Sequence, residues 1–398
     1  MRQMEESNMT RIEPMELEIV SHFHPEAGYY PEEDTTSPQM TKEEWLEKIS
    51  KLKKGALPFI KLFEKHEEEY MNNGSVRFHI WEDGTGYLEK LGDFSEIHLF
   101  KKTKGLGMVI PEDIGFETIG KLDEAVKLPH FVLLNSMIRR LEGIIGDKFM
   151  ESGSENLKKK LESMPSYMKF LLLSMKNSYT DVHIDFSATS VFYHVHTGRK
   201  IFYVAPPTEE NLKAYEEWER WEKGTEREVW LGKKLFDQWT RIEISAGQTL
   251  MMPSGFIHFV FTPEDCVVIG GNFLLDRFLK LQFRLSKLEE SCLELYRTSP
   301  TGQINETHTF EGFRNVMWAT IEFYLIPQLI ENPKKKELIE MGMIFLEEMN
   351  AGQRISQDWY SEEEKKAILE KLKGVMPRVS NRRHLENLAL EPVAKKPK

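Results

Sequence analysis

Among the twelve histidines of this chain, several cluster beside a carboxylate in one segment, SYTDVHIDFSATSVFYHVHTGRKIFYVAPPT, residues 178–208. His183 and Asp185 stand two apart, a spacing that sends both side chains to one face of a strand. An imidazole and a carboxylate side by side supply two corners of a metal site. His258, in MMPSGFIHFVFTP, is the candidate for the third. Two histidines and one carboxylate on a triangular face leave three coordination positions open, the arrangement of non-haem Fe(II) oxygenases. The same segment offers a second same-face pair, His194 and His196, which could ligate a metal in a different barrel. Tyr193 and His194 are adjacent and must face opposite sides of their strand.

Lys200 follows one strand after His183. A cosubstrate such as 2-oxoglutarate chelates iron with its keto-acid end and needs a cation and hydroxyls for its far carboxylate. The ammonium of Lys200 is a suitable point charge, and Thr180 and Tyr193 add hydroxyl donors. The remaining histidines (His22, His24, His66, His79, His98, His130, His308 and His384) lie in arms, helices or strands outside this segment and read as structural. Asp181 reads as a turn residue, and Phe202, Tyr203 and Phe256 as barrel core.

The elements that must position these residues follow from periodicity. From about residue 171 short β-rich runs succeed one another: FLLLSMKN, DVHIDF, TSVFYHV, KIFYVAPP, RIEISAG, QTLMMPS, GFIHFVFTP and CVVIGGNFLL, separated by Gly, Pro and Ser. Short strands at this spacing predict a sandwich or double-stranded barrel, interrupted by one charged helical insertion after Thr208. Before them, residues 1–40 read as a mobile arm. Residues 41–164 read as a mixed region: a helix opened by a Thr41–Glu44 capping box, strands at VRFHIWE and SEIHLFKK, and helices near 120–150 and 155–170. After residue 276 the pattern is helical to about 380, and 381–398 form a basic tail.

Composition narrows the class. The 398 residues are 40% hydrophobic and 29% charged, so a sizeable core can form. Lys and Arg total 53 against 64 Asp and Glu, a net charge of −11, which weighs against a surface built to grip nucleic acid and suits a basic partner. The only cysteines, Cys266 and Cys292, cannot build a zinc finger or a disulfide framework and read as small buried hydrophobes. No apolar run is long enough to span a membrane, and the first residues lack a signal-peptide core. The expectation is a soluble intracellular protein.

Together, YTDVHIDF, TSVFYHV, GRKIFY, PSGFIH and GGNFLL resemble the JmjC (Jumonji C) domain, closest to the histone lysine demethylases that carry PHD or CXXC fingers. The resemblance covers about 165–276, with a weaker likeness over GYLEKLGDFSEIHLFKKTKGLGMVIPE just before it. It implies an α+β fold, a double-stranded β-helix (jelly roll) flanked by helices. By resemblance His183, Asp185 and His258 would be catalytic iron ligands, and Thr180, Tyr193 and Lys200 would hold 2-oxoglutarate. The implied activity is Fe(II)- and 2-oxoglutarate-dependent removal of N-methyl groups from histone lysine, with ascorbate as reductant in vitro, acting on a histone tail in the nucleus.

This chain departs from the pattern in several places. Ser187 and Ala188 stand where the family has two glycines, and their side chains are expected to narrow the methyl-lysine channel. Phe192 and Phe256 replace tryptophans. The stretch before His183 is shorter, and Asn135 is the nearest counterpart of an active-site asparagine. With no zinc finger possible, targeting to chromatin would need another surface or a partner protein. These departures also allow a JmjC-fold interaction protein with little catalysis, or a hydroxylase of a non-histone protein.

Overall fold

A computed structural model describes residues 16–20, 40–74, 76–90, 94–112, 114, 125–220, 230–298, 309–350, 352 and 358–377. The chain divides into two compact units, Met1–Phe313 and Arg314–Lys398. The first holds every described strand: β1 (Glu16–Val20), β2 (Phe78–Trp81), β3 (Ile97–Phe100), β4 (Phe170–Ser174), β5 (Ser178–His183), β6 (Ser190–Thr197), β7 (Arg199–Ala205), β8 (Thr240–Ser245), β9 (Thr249–Met252), β10 (Ile257–Thr262) and β11 (Cys266–Phe273). Its principal helices are α1 (Lys42–Lys51), α2 (Leu57–Tyr70), α3 (Met137–Ser152), α4 (Glu209–Glu219) and α5 (Leu279–Thr298).

The strands form two sheets. One has seven strands in the order β1-β4-β11-β6-β9-β3-β2, the other four in the order β5-β10-β7-β8. All pairings are antiparallel except those of the two edge strands, β1 on β4 and β2 on β3. Side-chain alternation sorts the core. On β7 and β10, Ile201, Tyr203, Ala205, Ile257, Phe259 and Phe261 join an outer cluster with α1 and α2. Their neighbours Phe202, Val204 and Val260 join Val191, Tyr193, Val195, Leu250 and Val268 of the other sheet in an inner cluster. The inner cluster lies between the sheets, as a double-stranded β-helix requires.

The helices behave as their sequences dictate. Thr41 Oγ1 accepts from the Glu44 amide at 3.2 Å, and Glu44 Oε2 accepts from the Thr41 amide at 2.9 Å, completing the expected capping box. Behind the four-stranded sheet, Trp45 is fully buried and its indole N–H donates to the Leu62 carbonyl at 2.9 Å. Arg140 of α3 makes two hydrogen bonds, 2.6 and 2.7 Å, to the carboxylate of Asp276, just past β11.

The observed organisation differs from the expected one in two places. Glu16–Val20, within the expected arm, pairs parallel with β4; the rest of 1–39 lies outside the described residues. Residues 279–313 belong to the first unit, because α5 packs on the turn that follows β5. The second unit thus begins at Arg314, one residue into the helix Phe313–Ala319, and holds the helices Ile326–Glu331, Lys336–Glu348 and Glu362–Val375. The basic tail at 381–398 lies outside the described residues.

Candidate metal centre

β5 and β10 are neighbours, and His183 pairs directly with His258 across the ladder. Directly opposed residues share a face, so both imidazoles project between the sheets, with ring centroids 4.1 Å apart. β5 ends at His183. Asp185 therefore lies past the strand, at the start of a short 3₁₀ turn, Phe186–Ala188, and its carboxylate Oδ1 lies 4.0 Å from His183 Nε2. One ligand atom from each of His183, Asp185 and His258 lies within 4.8 Å of the others. His258 is buried, while His183 and Asp185 are half-buried, so the cluster opens on one side.

Both imidazoles are oriented by backbone carbonyls two residues earlier in the chain. His183 Nδ1 lies 2.9 Å from the Asp181 carbonyl oxygen, and His258 Nδ1 lies 3.1 Å from that of Phe256. A carbonyl can only accept, so each Nδ1 carries the proton and each Nε2 presents a lone pair. Burial pulls the His258 pKa down to about 4, partly opposed by its bond to Phe256; it is a neutral ligand at physiological pH. Phe202 stacks against the His258 ring at 5.9 Å. This donor set, tautomer and spacing fit a divalent metal ion held on one face.

Thr180 reaches this face through an irregularity. In a regular strand, residues three apart face opposite sides. Here the register shifts between His258 and Val260, so Asp181 and Val182 together oppose Phe259, and Thr180 pairs with Val260. This bulge turns Thr180 and His183 toward the same interior. Tyr193 enters from β6, within the inner cluster and 5.0 Å from the Phe202 ring. Lys200 shares its strand face with Phe202, is 2% exposed, and its Nζ donates to Ser174 Oγ at 2.5 Å and Thr262 Oγ1 at 2.8 Å. The fold thus gathers His183, His258, Thr180, Tyr193 and Lys200 on the facing surfaces of its sheets, with Asp185 at the rim.

The alternative pair separates from this face. His194 lies on the other side of β6, with Nδ1 2.9 Å from Thr249 Oγ1, and neither His194 nor His196 joins a metal-competent group among the described residues. Asn135 is exposed and its side chain caps its own helix, donating to Phe131 O at 2.8 Å. Asp181 is no turn residue: it lies in β5 and accepts from the Trp230 indole at 3.0 Å and the Tyr179 hydroxyl at 3.3 Å. Phe202 and Phe256 are inner core, Tyr203 outer core, and both cysteines are buried. Ser187 and Ala188 are almost fully buried. The Ser187 hydroxyl is directed at Glu289 of α5, and Ala188 joins the outer cluster; the expected narrowing of a channel by these side chains is not what their contacts describe. Glu289, Ser174 and Thr262 carried no signal in the sequence, because only the fold brings them near.

A double-stranded β-helix with a His-Asp-His face defines a class, and sequence comparison makes it specific. Residues 170–273 match the family profile described as JmjC domain, hydroxylase. The chain is 42% identical over 177 residues to JmjC domain-containing histone demethylation protein 1 of Cryptococcus neoformans, covering 44% of this chain and 19% of that protein. It is 34% identical over 190 residues to lysine-specific demethylase 2A of Xenopus tropicalis, covering 48% and 15%. With lysine-specific demethylase 7B of Danio rerio it shares 38% identity over 171 residues, covering 43% and 26%. Residues 170–273 are therefore similar to JmjC domains, and the chain spans about a quarter or less of these relatives' own length.

Proposed function

We propose that the protein is an Fe(II)- and 2-oxoglutarate-dependent oxygenase that removes N-methyl groups from lysines of histone tails. The observation that carries this reading is the single face on which His183, Asp185 and His258 bring ligand atoms within 4.8 Å, with the buried Lys200 on the adjoining interior. His183 Nε2, His258 Nε2 and the Asp185 carboxylate would hold Fe(II), leaving the opposite face for cosubstrate and dioxygen. Lys200 would receive the far carboxylate of 2-oxoglutarate as a charge-assisted pair, aided by the hydroxyls of Thr180 and Tyr193.

When bound, Fe(II) would let dioxygen act as the oxidant: one oxygen atom would go to 2-oxoglutarate as it becomes succinate and CO2, the other to the N-methyl carbon, whose carbinolamine releases formaldehyde and the demethylated lysine. The protein's own residues do the rest. Asp181 and Phe256 carbonyls keep both imidazoles in the binding tautomer. Ser174 and Thr262 hold the Lys200 ammonium in an otherwise apolar interior. Val191, Val204, Leu250 and Val260 line that interior and exclude water. The net charge of −11 favours encounter with a basic tail. A histone substrate would place the protein in the nucleus, and no described helix is long and apolar enough to cross a membrane.

The test is mass spectrometry of methylated histones incubated with the protein, Fe(II), ascorbate and 2-oxoglutarate, beside His183→Ala. Loss of methyl groups with wild type alone supports the proposal. A stable hydroxylated product without formaldehyde would identify a hydroxylase instead. Binding of 2-oxoglutarate without turnover would point to the interaction protein.

A further inference from the structure

The turn that follows Asp185 adopts a backbone its own residues disfavour. Ser187 has φ 47° and ψ 32°, and Ala188 has φ 48°. A Cβ crowds the following carbonyl in this left-handed region, so two consecutive residues other than glycine hold it only when their surroundings impose it.

Three side chains from distant parts of the chain are attached to the segment. The hydroxyl of Tyr215, on α4, accepts from the Ile184 amide at 3.4 Å. Asn272 of β11 donates through Nδ2 to Thr189 Oγ1 at 3.0 Å. These fix the two ends. Between them, the Ser187 amide donates to Glu289 Oε1, and the Ser187 hydroxyl donates to Oε2 at 3.0 Å.

Glu289 projects from α5 on the side where Leu285, Leu288 and Cys292 enter the apolar outer cluster. Burial pushes its carboxyl up to about 8, with both Ser187 bonds opposing that rise. A carboxyl in such surroundings is a poor packing residue unless its oxygens are used, and both oxygens accept from Ser187.

We propose that Glu289 is a positioning residue for the metal centre, clamping the left-handed Ser187–Ala188 turn and so setting where Asp185 presents its carboxylate. This rests on the reading of His183, Asp185 and His258 as metal ligands. Without the clamp the turn relaxes toward negative φ, and Asp185, two residues away, moves with it. The dependence has a specific chemical signature: glycine adopts positive φ without strain, so glycines at 187 and 188 make the clamp dispensable.

The experiment is a Co(II) titration of the full chain, followed by calorimetry and by the visible ligand-field spectrum, with thermal melts to check folding. Glu289→Ala is expected to lose Co(II) affinity by about 10–100-fold, the usual cost of losing a group that orients a ligand, with an altered spectrum. Glu289→Gln keeps an acceptor for the Ser187 amide and is expected to stay near wild type. Adding Ser187→Gly and Ala188→Gly to Glu289→Ala is expected to restore both affinity and spectrum. Wild-type affinity and spectrum in Glu289→Ala would overturn the inference, as would failure of the glycines to restore them. Should Glu289→Ala not fold, the comparison moves to the glycine background, where an unreduced effect of Glu289→Ala overturns it equally. If His183→Ala binds Co(II) as wild type does, the metal-centre reading itself falls, and this inference with it.

Discussion

At the scale of single residues, the candidate site depends on where protons and charges sit. His183 and His258 each commit Nδ1–H to a carbonyl two residues back in the chain, so Nε2 is the nitrogen each would offer a metal. Mn(II) or Co(II) should therefore raise the melting temperature of wild type, since a ligand of the folded state stabilises it. His183→Ala should abolish the rise; an equal rise in the mutant would remove His183 from the ligand set. Lys200→Ala should leave the metal-induced rise intact while weakening 2-oxoglutarate binding in calorimetry, and unchanged binding would remove Lys200 from the pocket. Two other histidines predict a pH dependence. Burial, reinforced by a neighbouring histidine in each case, lowers the pKa of His98 and of His194 to about 4. The unfolded chain titrates near 6.5, so it binds more protons than the native state between these values. Stability is then fully present above about pH 6.5 and declines as pH falls toward 4, by at most about 3 kcal/mol for His194 and less for the more solvent-screened His98. Urea midpoints measured from pH 7 to pH 4 should show this decline, and His194→Asn should make it shallower.

At the scale of elements, β10 is the organising strand. It lies between β5 and β7, and its alternating faces carry His258 and Val260 inward and Phe259 and Phe261 outward. The outward face is covered by α2, whose Phe63 ring lies 5.6 Å from Tyr203, 5.6 Å from Phe261, 6.0 Å from Phe259 and 6.1 Å from Tyr179. Truncating this fully buried ring should cost about 3–5 kcal/mol, measured as a shift in denaturant midpoint. Because the strands it supports also carry His183 and His258, Phe63→Ala should weaken Co(II) binding as well as stability. A stability loss with unchanged Co(II) affinity would show that α2 supports the sheet without positioning the ligands.

At the scale of the whole molecule, the matched stretch is only part of the folding unit. Residues 170–273 supply the four-stranded sheet and the middle of the larger one. β3, which pairs with β9, and the covering helices α1 and α2 come from before it, and α5 from after it. A fragment of residues 170–273 would expose the outer faces of β7 and β10 and leave β9 without its neighbour, an unprotected edge prone to association. It should aggregate or unfold without cooperativity, whereas a 40–313 fragment should melt in one transition. A sharp melt of the short fragment would refute this.

Much of this was legible in the sequence because its signals are local. Strand alternation needs only neighbouring residues, so runs such as VFYHV and KIFYVA announced their strands, and the quoted motifs announced the JmjC fold. The Thr41–Glu44 cap is legible for the same reason. What only the tertiary structure decided depends on residues far apart in the chain. The His194–His196 pair satisfied the same spacing rule as His183 and Asp185, and only the packing of β6 turned His194 away from the interior. Strict alternation would set Thr180 opposite His183; the bulge facing Phe259 reverses this, and a bulge is a property of a pair of strands. Glu289 looked like one more acidic residue on a charged helix. Its partner is a turn 102 residues earlier, and that contact exists only because α5 packs back across the barrel.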